Sequence, residues 1–191
     1  MSVGTVFPHV AAWLEHYRQT LKPLRVLEAG CGAGQYAPFF RDTQYVGFDI
    51  PETWYQIQNP PMVVASADDL PFVDQAFDLA FCVSAFDYFP NPQAVMNEMA
   101  RCLRPGGVFL VFTYDRKTLE AIHRNCAALP ASRATQGHHV FGRDELMAYG
   151  RRAGFDGTQL PYCPSMSLIQ RAKLLLRPTN LRSFAFTRQA D

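Results

Sequence analysis

The stretch Arg25-Val26-Leu27-Glu28-Ala29-Gly30-Cys31-Gly32-Ala33-Gly34-Gln35-Tyr36 limits this chain more than any other. A short apolar run passes into three alternate glycines and then into residues able to open a helix. A buried strand turning this tightly leaves bare backbone N–H groups at the corner. Glycine is needed there for unusual dihedrals and for close approach of a ligand to the backbone. Two chemistries use such a corner: the nucleotide turn of a dinucleotide enzyme, and the loop that cradles an adenosine-bearing methyl donor. The glycines alone do not separate them.

The remaining pattern alternates. Leu24 to Ala29 is a first strand, Gln35 to about Arg41 a helix, and Gln44 to Asp49 a second strand ending in an acid. An acid about 20 residues beyond a glycine turn is placed to bond the two hydroxyls of a ribose; the plainer alternative for Asp49 is a helix N-cap before Pro51. Pro51 to Pro61 is irregular or a short helix. Met62 to Ala65 is a third strand and Ala76 to Val83 a fourth, apolar nearly throughout as central parallel strands are. Asn91 and Pro92 supply an N-cap and a first-turn proline for a helix presenting Val95, Met96, Met99 and Leu103, stopped by Pro105-Gly106-Gly107. Val108 to Tyr114 is the fifth strand. Strand and helix in alternation predict an α/β fold with a parallel sheet and right-handed crossovers, binding ligand outside the carboxyl ends of the strands.

Either side of this core the signals are weaker. Val10, Leu14, Tyr17 and Leu21, with Trp13, mark an amphipathic helix ended near Pro23. It is either a packing helix or a lid presenting Trp13 or Tyr17 to the pocket. Later segments read as a helix from Asp115 to Leu129, a loop from Pro130 to Val140, and a helix from Asp144 to Ala153 closed by Gly154. Thr158 to Tyr162 is the strand after it. A basic-faced helix around Leu168, Ala172 and Leu175 and a terminal strand from Ser183 to Thr187 complete the chain.

Composition excludes several classes. The chain has 191 residues, which suits one buried core, and 48% of them are hydrophobic, which excludes disorder. A formal charge of +1 gives no electrostatic footprint for nucleic acid. Cys31, Cys82, Cys102, Cys126 and Cys163 are widely spaced without any Cys-x-x-Cys pair, so reduced thiols in a cytoplasmic protein are expected, with no metal site. The N-terminus lacks the pattern of a secretory leader, and the longest apolar run, Val108 to Phe112, is too short to cross a bilayer.

Five segments in order now carry a resemblance: Val26 to Gly34, Val46-Gly47-Phe48-Asp49, Asp68-Asp69-Leu70-Pro71-Phe72, Phe77-Asp78-Leu79-Ala80 and Leu103-Arg104-Pro105-Gly106-Gly107. The chain resembles the class I S-adenosylmethionine-dependent methyltransferases, in particular the small single-domain group of ubiquinone- and menaquinone-biosynthesis enzymes. The dinucleotide pattern fits less well. Counted from Gly30, its third glycine falls on Gln35; counted from Gly32, it starts late and leaves the other four segments unexplained.

The resemblance implies a Rossmann-like, mostly parallel seven-stranded sheet with helices on both faces. It implies a single domain over 1–191: an N-terminal helix (1–23), a cofactor core (24–114) and a substrate-side part (115–191). Gly30, Cys31, Gly32 and Gly34 would approach the methionine and ribose of the cofactor. Glu28 would sit near its amino group, or else order the loop. Asp49 would hold the ribose diol, Ile50 would pack on adenine, Ala67 and Asp68 would lie along its edge, and Val83 and Ser84 would line the opening for transfer. Many relatives carry aspartate where this chain has Ser66, so either Asp68 accepts from adenine or that bond is weaker.

Substrate-side candidates are Asp87, Tyr88 and Tyr114, with Asp115, His138 and His139 behind them. Asp87 is a base or acceptor orienter, or a cap. The paired histidines read as a solvated loop, and Phe86, Tyr88 and Phe89 as core or pocket wall. No Asn-Pro-Pro-Tyr or Asp-Pro-Pro-Tyr segment follows the fourth strand, which disfavours amino acceptors on bases or glutamine. The expected activity is methyl transfer to a small molecule, without nucleic-acid partners or a membrane span. A cofactor-binding regulatory subunit without turnover is the alternative.

Overall fold

The computed structural model describes residues 7–50, 62–116, 118–120, 139–161, 163 and 181–190. Seven strands form one sheet: β1 (Arg25–Ala29), β2 (Gln44–Asp49), β3 (Met62–Val64), β4 (Phe77–Val83), β5 (Leu103–Tyr114), β6 (Phe155–Leu160) and β7 (Leu181–Arg188). Their order is β3-β2-β1-β4-β5-β7-β6. The first five pair in parallel, while β7 runs antiparallel to both β5 and β6. This is the mostly parallel, Rossmann-like class I architecture expected from the sequence.

The apolar strands are covered on both faces, which is why they lack an alternating pattern. On one face, α1 (Pro8–Leu21) sets Val10, Trp13 and Leu14 against Val26, Leu79, Phe81 and Leu110. On the other, α2 (Pro92–Cys102) sets Val95, Met96 and Met99 against Leu27, Ala29 and Ala80, beside α3 (Arg143–Arg152). Asn91 caps α2 as its side chain predicts, accepting from the Ala94 N–H at 3.2 Å. Trp13 packs beside His16 and Tyr17 and donates to the Pro161 carbonyl at 3.1 Å, so this part of α1 is a packing surface.

Several boundaries differ from expectation, each for a local reason. The helix predicted after the glycine turn is only a 3-10 turn, Ala37–Phe40, because Pro38 offers no N–H and the chain closes by bonds such as Phe39 N to Tyr36 O. The helix before β5 ends at Cys102; Leu103 is already extended and pairs with Phe77, so Pro105-Gly106-Gly107 lies inside β5. There Gly106 has φ +74° and the ladder shifts register between Phe77 and Leu79. β6 begins three residues early, at Phe155, because Gly157 reads as a turn but serves as a strand glycine. A Cβ on it would lie 2.8 Å from both Met147 Sδ and the Phe186 ring. Of the helix predicted from Asp115, Arg116 and residues 118–120 are helical. Residues 121–138 and the helix predicted around Leu168 lie outside the described residues.

Asp78 ties the base of the sheet. Its Oδ2 accepts from the Leu24 and Arg25 N–H groups at 2.9 and 2.8 Å, and its Oδ1 from Arg104 Nε at 2.7 Å. Burial alone would raise this carboxyl, but Arg104 and the two N–H groups hold it below the usual range.

The packing at Gly157 makes a direct prediction. Gly157→Ala must push into a buried aromatic ring, and overpacking of that kind costs about 1–3 kcal/mol. Urea unfolding should show a lower midpoint with an unchanged slope; an unaltered midpoint would mean that β6 stands further from Phe186 than described.

Candidate functional site

At the carboxyl end of β1 the chain turns through Gly30 at φ +67° and passes directly over the exit of β4. A Cβ on Gly30 would lie 2.4 Å from that of Ala85, so no other residue fits. The loop is held from the β2 side as well. Cys31 N donates to the Phe48 carbonyl at 3.0 Å, and Asp49 accepts from Gly32 N at 2.7 Å and from its neighbour Ile50 N at 2.8 Å. Asp49 is therefore fixed in rotamer, with each carboxylate oxygen retaining a further lone pair.

Between these strand ends lies an open cleft of about 760 Å³, counted out to solvent. Concave sites with mostly apolar walls and a few convergent polar groups are those that small molecules occupy. The walls here are Gly30, Phe48-Asp49-Ile50, Ala65 to Asp68, and Ala85, Tyr88, Phe89 and Pro90, with Val95 of α2 beneath. The 65–68 segment is a tight turn bridged between Ser66 and Asp69. The Ser66 hydroxyl donates to Asp68 Oδ1, so the serine that replaces the expected acid orients the acid beside it. α2 anchors the chain beyond this turn: Glu98 accepts from Leu70 N at 2.9 Å, and Arg101 donates to the carbonyls of Leu70 and Phe72 at 3.0 and 2.6 Å.

Of the predicted site residues, Gly30, Asp49, Ile50, Ala67, Asp68 and Tyr88 meet in the cleft wall. Phe48, Ala65, Ala85, Pro90 and Val95 also line it, although nothing in the sequence marks them as binding residues, and so does Phe89. Only the aromatic run at Phe86, Tyr88 and Phe89 carries a sequence signal for a wall, and Phe86 is instead fully buried core.

The other candidates lie outside the cleft wall. Val83 ends β4, and Ser84 comes next at φ +56° with its buried hydroxyl lacking any partner. A serine in this region carries backbone strain. Asp87 is fully buried, with the Thr113 hydroxyl on Oδ1 and nothing on Oδ2. Burial raises its carboxyl despite Thr113, the Tyr114 N–H and Arg182. Tyr114 closes β5 with its ring against Phe7, at 6.4 Å between centroids. His139 lies exposed on Glu145 Oε1 at 2.9 Å, and His138 lies outside the described residues. Among the described residues no His, Cys, Asp and Glu group could hold a metal ion.

The side chains of Glu28 and Cys31 lie below the glycine loop rather than in the cleft wall. Glu28 is 2% exposed and receives the Tyr45 hydroxyl. Gly47 makes room here: a Cβ on it would stand 2.8 Å from Cys31 Sγ and 3.0 Å from the Tyr45 oxygen. Burial pushes the Glu28 carboxyl up to about 8, against the Tyr45 bond and aided by the charge of Asp49. Burial likewise raises the Cys31 thiol far above its usual range.

Comparison with known proteins agrees with this geometry. Residues 27–111 match a family described as "Methyltransferase domain". The chain is 37% identical over 97 residues to the fatty-acid O-methyltransferase of Mycolicibacterium smegmatis, covering 45% of this chain and 35% of that protein. It is 32% identical over 111 residues to malonyl-[acyl-carrier protein] O-methyltransferase 1 of Coxiella burnetii, covering 56% and 39%. It thus spans well under half the length of these relatives. Among solved structures it superposes on the YcgJ protein of Bacillus subtilis with a TM-score of 0.67 at 18% identity, over 96% of this chain and all of that one.

The buried acid under the loop predicts a pH dependence. A Glu held near 8 in the folded chain, against 4.5 ordinarily, keeps its proton on folding. Its contribution is therefore complete at low pH and is lost as pH rises from 4.5 through about 8. Urea unfolding across that range should show stability falling in the wild type and a flatter profile for Glu28→Gln. Parallel profiles would show that Glu28 ionises normally.

Proposed function

We propose that this chain, which carries over residues 27–111 the methyltransferase domain of the class I S-adenosylmethionine-dependent family, transfers a methyl group from that cofactor to a small-molecule or lipid-like acceptor. The observation that carries this reading is the cleft beside the glycine loop, with one fixed carboxylate at its edge. Its residues fit an adenosine. Asp49 has lone pairs left for two ribose hydroxyls, Ile50 and Phe48 offer flat apolar contact, and Ala67 and Asp68 take the base edge. Asp68 Oδ2 carries no bond from Ser66 and would accept from the exocyclic amine. Gly30, Cys31, Gly32 and Gly34 would lie along the ribose and methionine, and Glu28 beneath them would act on the amino group through the loop. Val83 and Ser84, at the β4 exit, would line the opening for transfer.

Bound there, the cofactor supplies a sulfonium methyl group open to in-line displacement by a nucleophile. The protein's share is alignment and exclusion of water, which together are worth about 7–11 kcal/mol when reactants are held in attack geometry. Asp87, buried and bonded to Thr113, and the half-buried Tyr88 and Tyr114 would border the acceptor.

The motifs support a place beside the small quinone-biosynthesis enzymes. The names of the relatives support acids and acyl chains as acceptors, and we favour these. We read the chain as a single catalytic unit, with no nucleic-acid partner. Among the described residues, the buried thiols of Cys31, Cys82 and Cys102 support a reducing compartment, the cytoplasm. No helix among the described residues is long and apolar enough to cross a membrane.

Calorimetric titration with S-adenosylhomocysteine, with NAD as control, tests the reading. Binding of roughly micromolar strength is expected, none for NAD, and at least about tenfold weakening in Asp49→Ala. A folded sample silent toward S-adenosylhomocysteine would overturn the assignment.

A further inference from the structure

We propose that the first turn of α1, together with Tyr36, binds the carboxylate of an aliphatic acid that serves as methyl acceptor. The inference rests on the methyltransferase reading above and adds to it a place for an acid acceptor.

The polar groups concerned are unused by the fold. His9 is 7% exposed and neither ring nitrogen has a hydrogen-bond partner. Tyr36 is fully buried, and its hydroxyl lies near the Phe7 N–H and the Gln35 side chain, neither of them in bonding geometry. Buried polar atoms of this kind cost free energy unless a ligand or water satisfies them. Elements from three parts of the chain bring them together. Tyr36 follows the glycine loop, Tyr114 ends β5, and the Phe7 ring stands 6.4 Å from the Tyr114 ring and 6.3 Å from that of His9. The group therefore roofs the carboxyl ends of β1 and β5, on the face opposite α2.

The site suits an anion. The α1 N-terminus is capped by Phe7, with no side-chain cap bond and no acid in its first turn, so among the described residues no side chain offsets its leading N–H groups and dipole. Burial lowers the His9 pKa, leaving a neutral ring with one N–H to donate, and Tyr36 donates a second bond. The nearby Glu28 stays protonated to about pH 8 and so does not repel a carboxylate. Walls of Phe7 and Tyr114 match an aliphatic chain rather than a second charge. A carboxylate is also an oxygen nucleophile already without its proton, and so needs no base.

The test uses the full chain loaded with S-adenosylhomocysteine and labelled at the histidine rings for NMR, the His9 signals being those missing from His9→Gln. Octanoate is titrated against 1-octanol as an uncharged control. The proposal expects octanoate to move the His9 signals and to bind at least about tenfold more tightly than octanol. His9→Gln and Tyr36→Phe should each lose about tenfold in octanoate affinity while S-adenosylhomocysteine binds within about twofold of wild type. Equal binding of acid and alcohol, unmoved His9 signals, or no octanoate binding to the loaded protein would overturn it. Failure of S-adenosylhomocysteine to bind at all would instead strike the methyltransferase reading.

Discussion

The contact between the loop after β1 and the loop after β4 governs everything above the sheet. Because Gly30 would place a Cβ only 2.4 Å from that of Ala85, two chain reversals are pressed together backbone to side chain. The contact fixes how far the glycine loop can rise from the sheet. Asp49 then fixes the same loop from the other side, by holding Gly32 N. With β1, β2 and β4 locked at their exits, the space left between them is the cleft. Its wall contains Gly30, Asp49 and Ala85 because those residues make the locks.

This explains why so much of the fold and half of the site are legible in the chain. The locks require particular residues at particular spacings: glycine where a Cβ cannot go, an acid at the end of β2, and apolar runs where both faces are covered. Asn91 and Pro92, before α2, are legible for the same reason, since a cap is a local bond. Residues that line the cleft by tertiary placement are not. Val95 reads as one more core position of an amphipathic helix. His9 and Tyr36 leave even less trace, because a polar group without a partner is a property of the packed structure. The start of β6 is hidden for a related reason: Asp156-Gly157 looks like a turn until the Phe186 ring that needs the missing side chain is in position.

Two acids near the glycine loop show how burial divides chemistry between similar groups. Asp49 accepts two backbone N–H bonds at the cleft edge, whereas Glu28, two residues before Gly30, accepts from Tyr45 in a closed compartment. The first is positioned to bind; the second is kept neutral by burial and helps fill the layer under the loop. Ionised, Glu28 would add a second negative charge next to Asp49. Keeping its proton removes that repulsion until a cationic group arrives, which would draw the proton off and hold the carboxylate in place.

Ser84 stands where the two sides of the sheet meet. Before it, β4 is buried through Cys82; after it, Ala85 enters the cleft wall and Asp87 turns to Thr113 of β5. The change of direction costs the residue a left-handed backbone and an unsatisfied hydroxyl. Such strain persists only where packing on both sides leaves no alternative. Here Ser84 N is held on the Phe112 carbonyl at 2.8 Å and Ala85 is pressed against Gly30, with the cleft on the α2 side and the aromatic roof of Phe7, Tyr36 and Tyr114 on the α1 side. A cofactor entering from one side and an acceptor from the other would approach each other across the tip of β4. The sheet edge would then separate the two ligands everywhere except at the point where transfer requires contact.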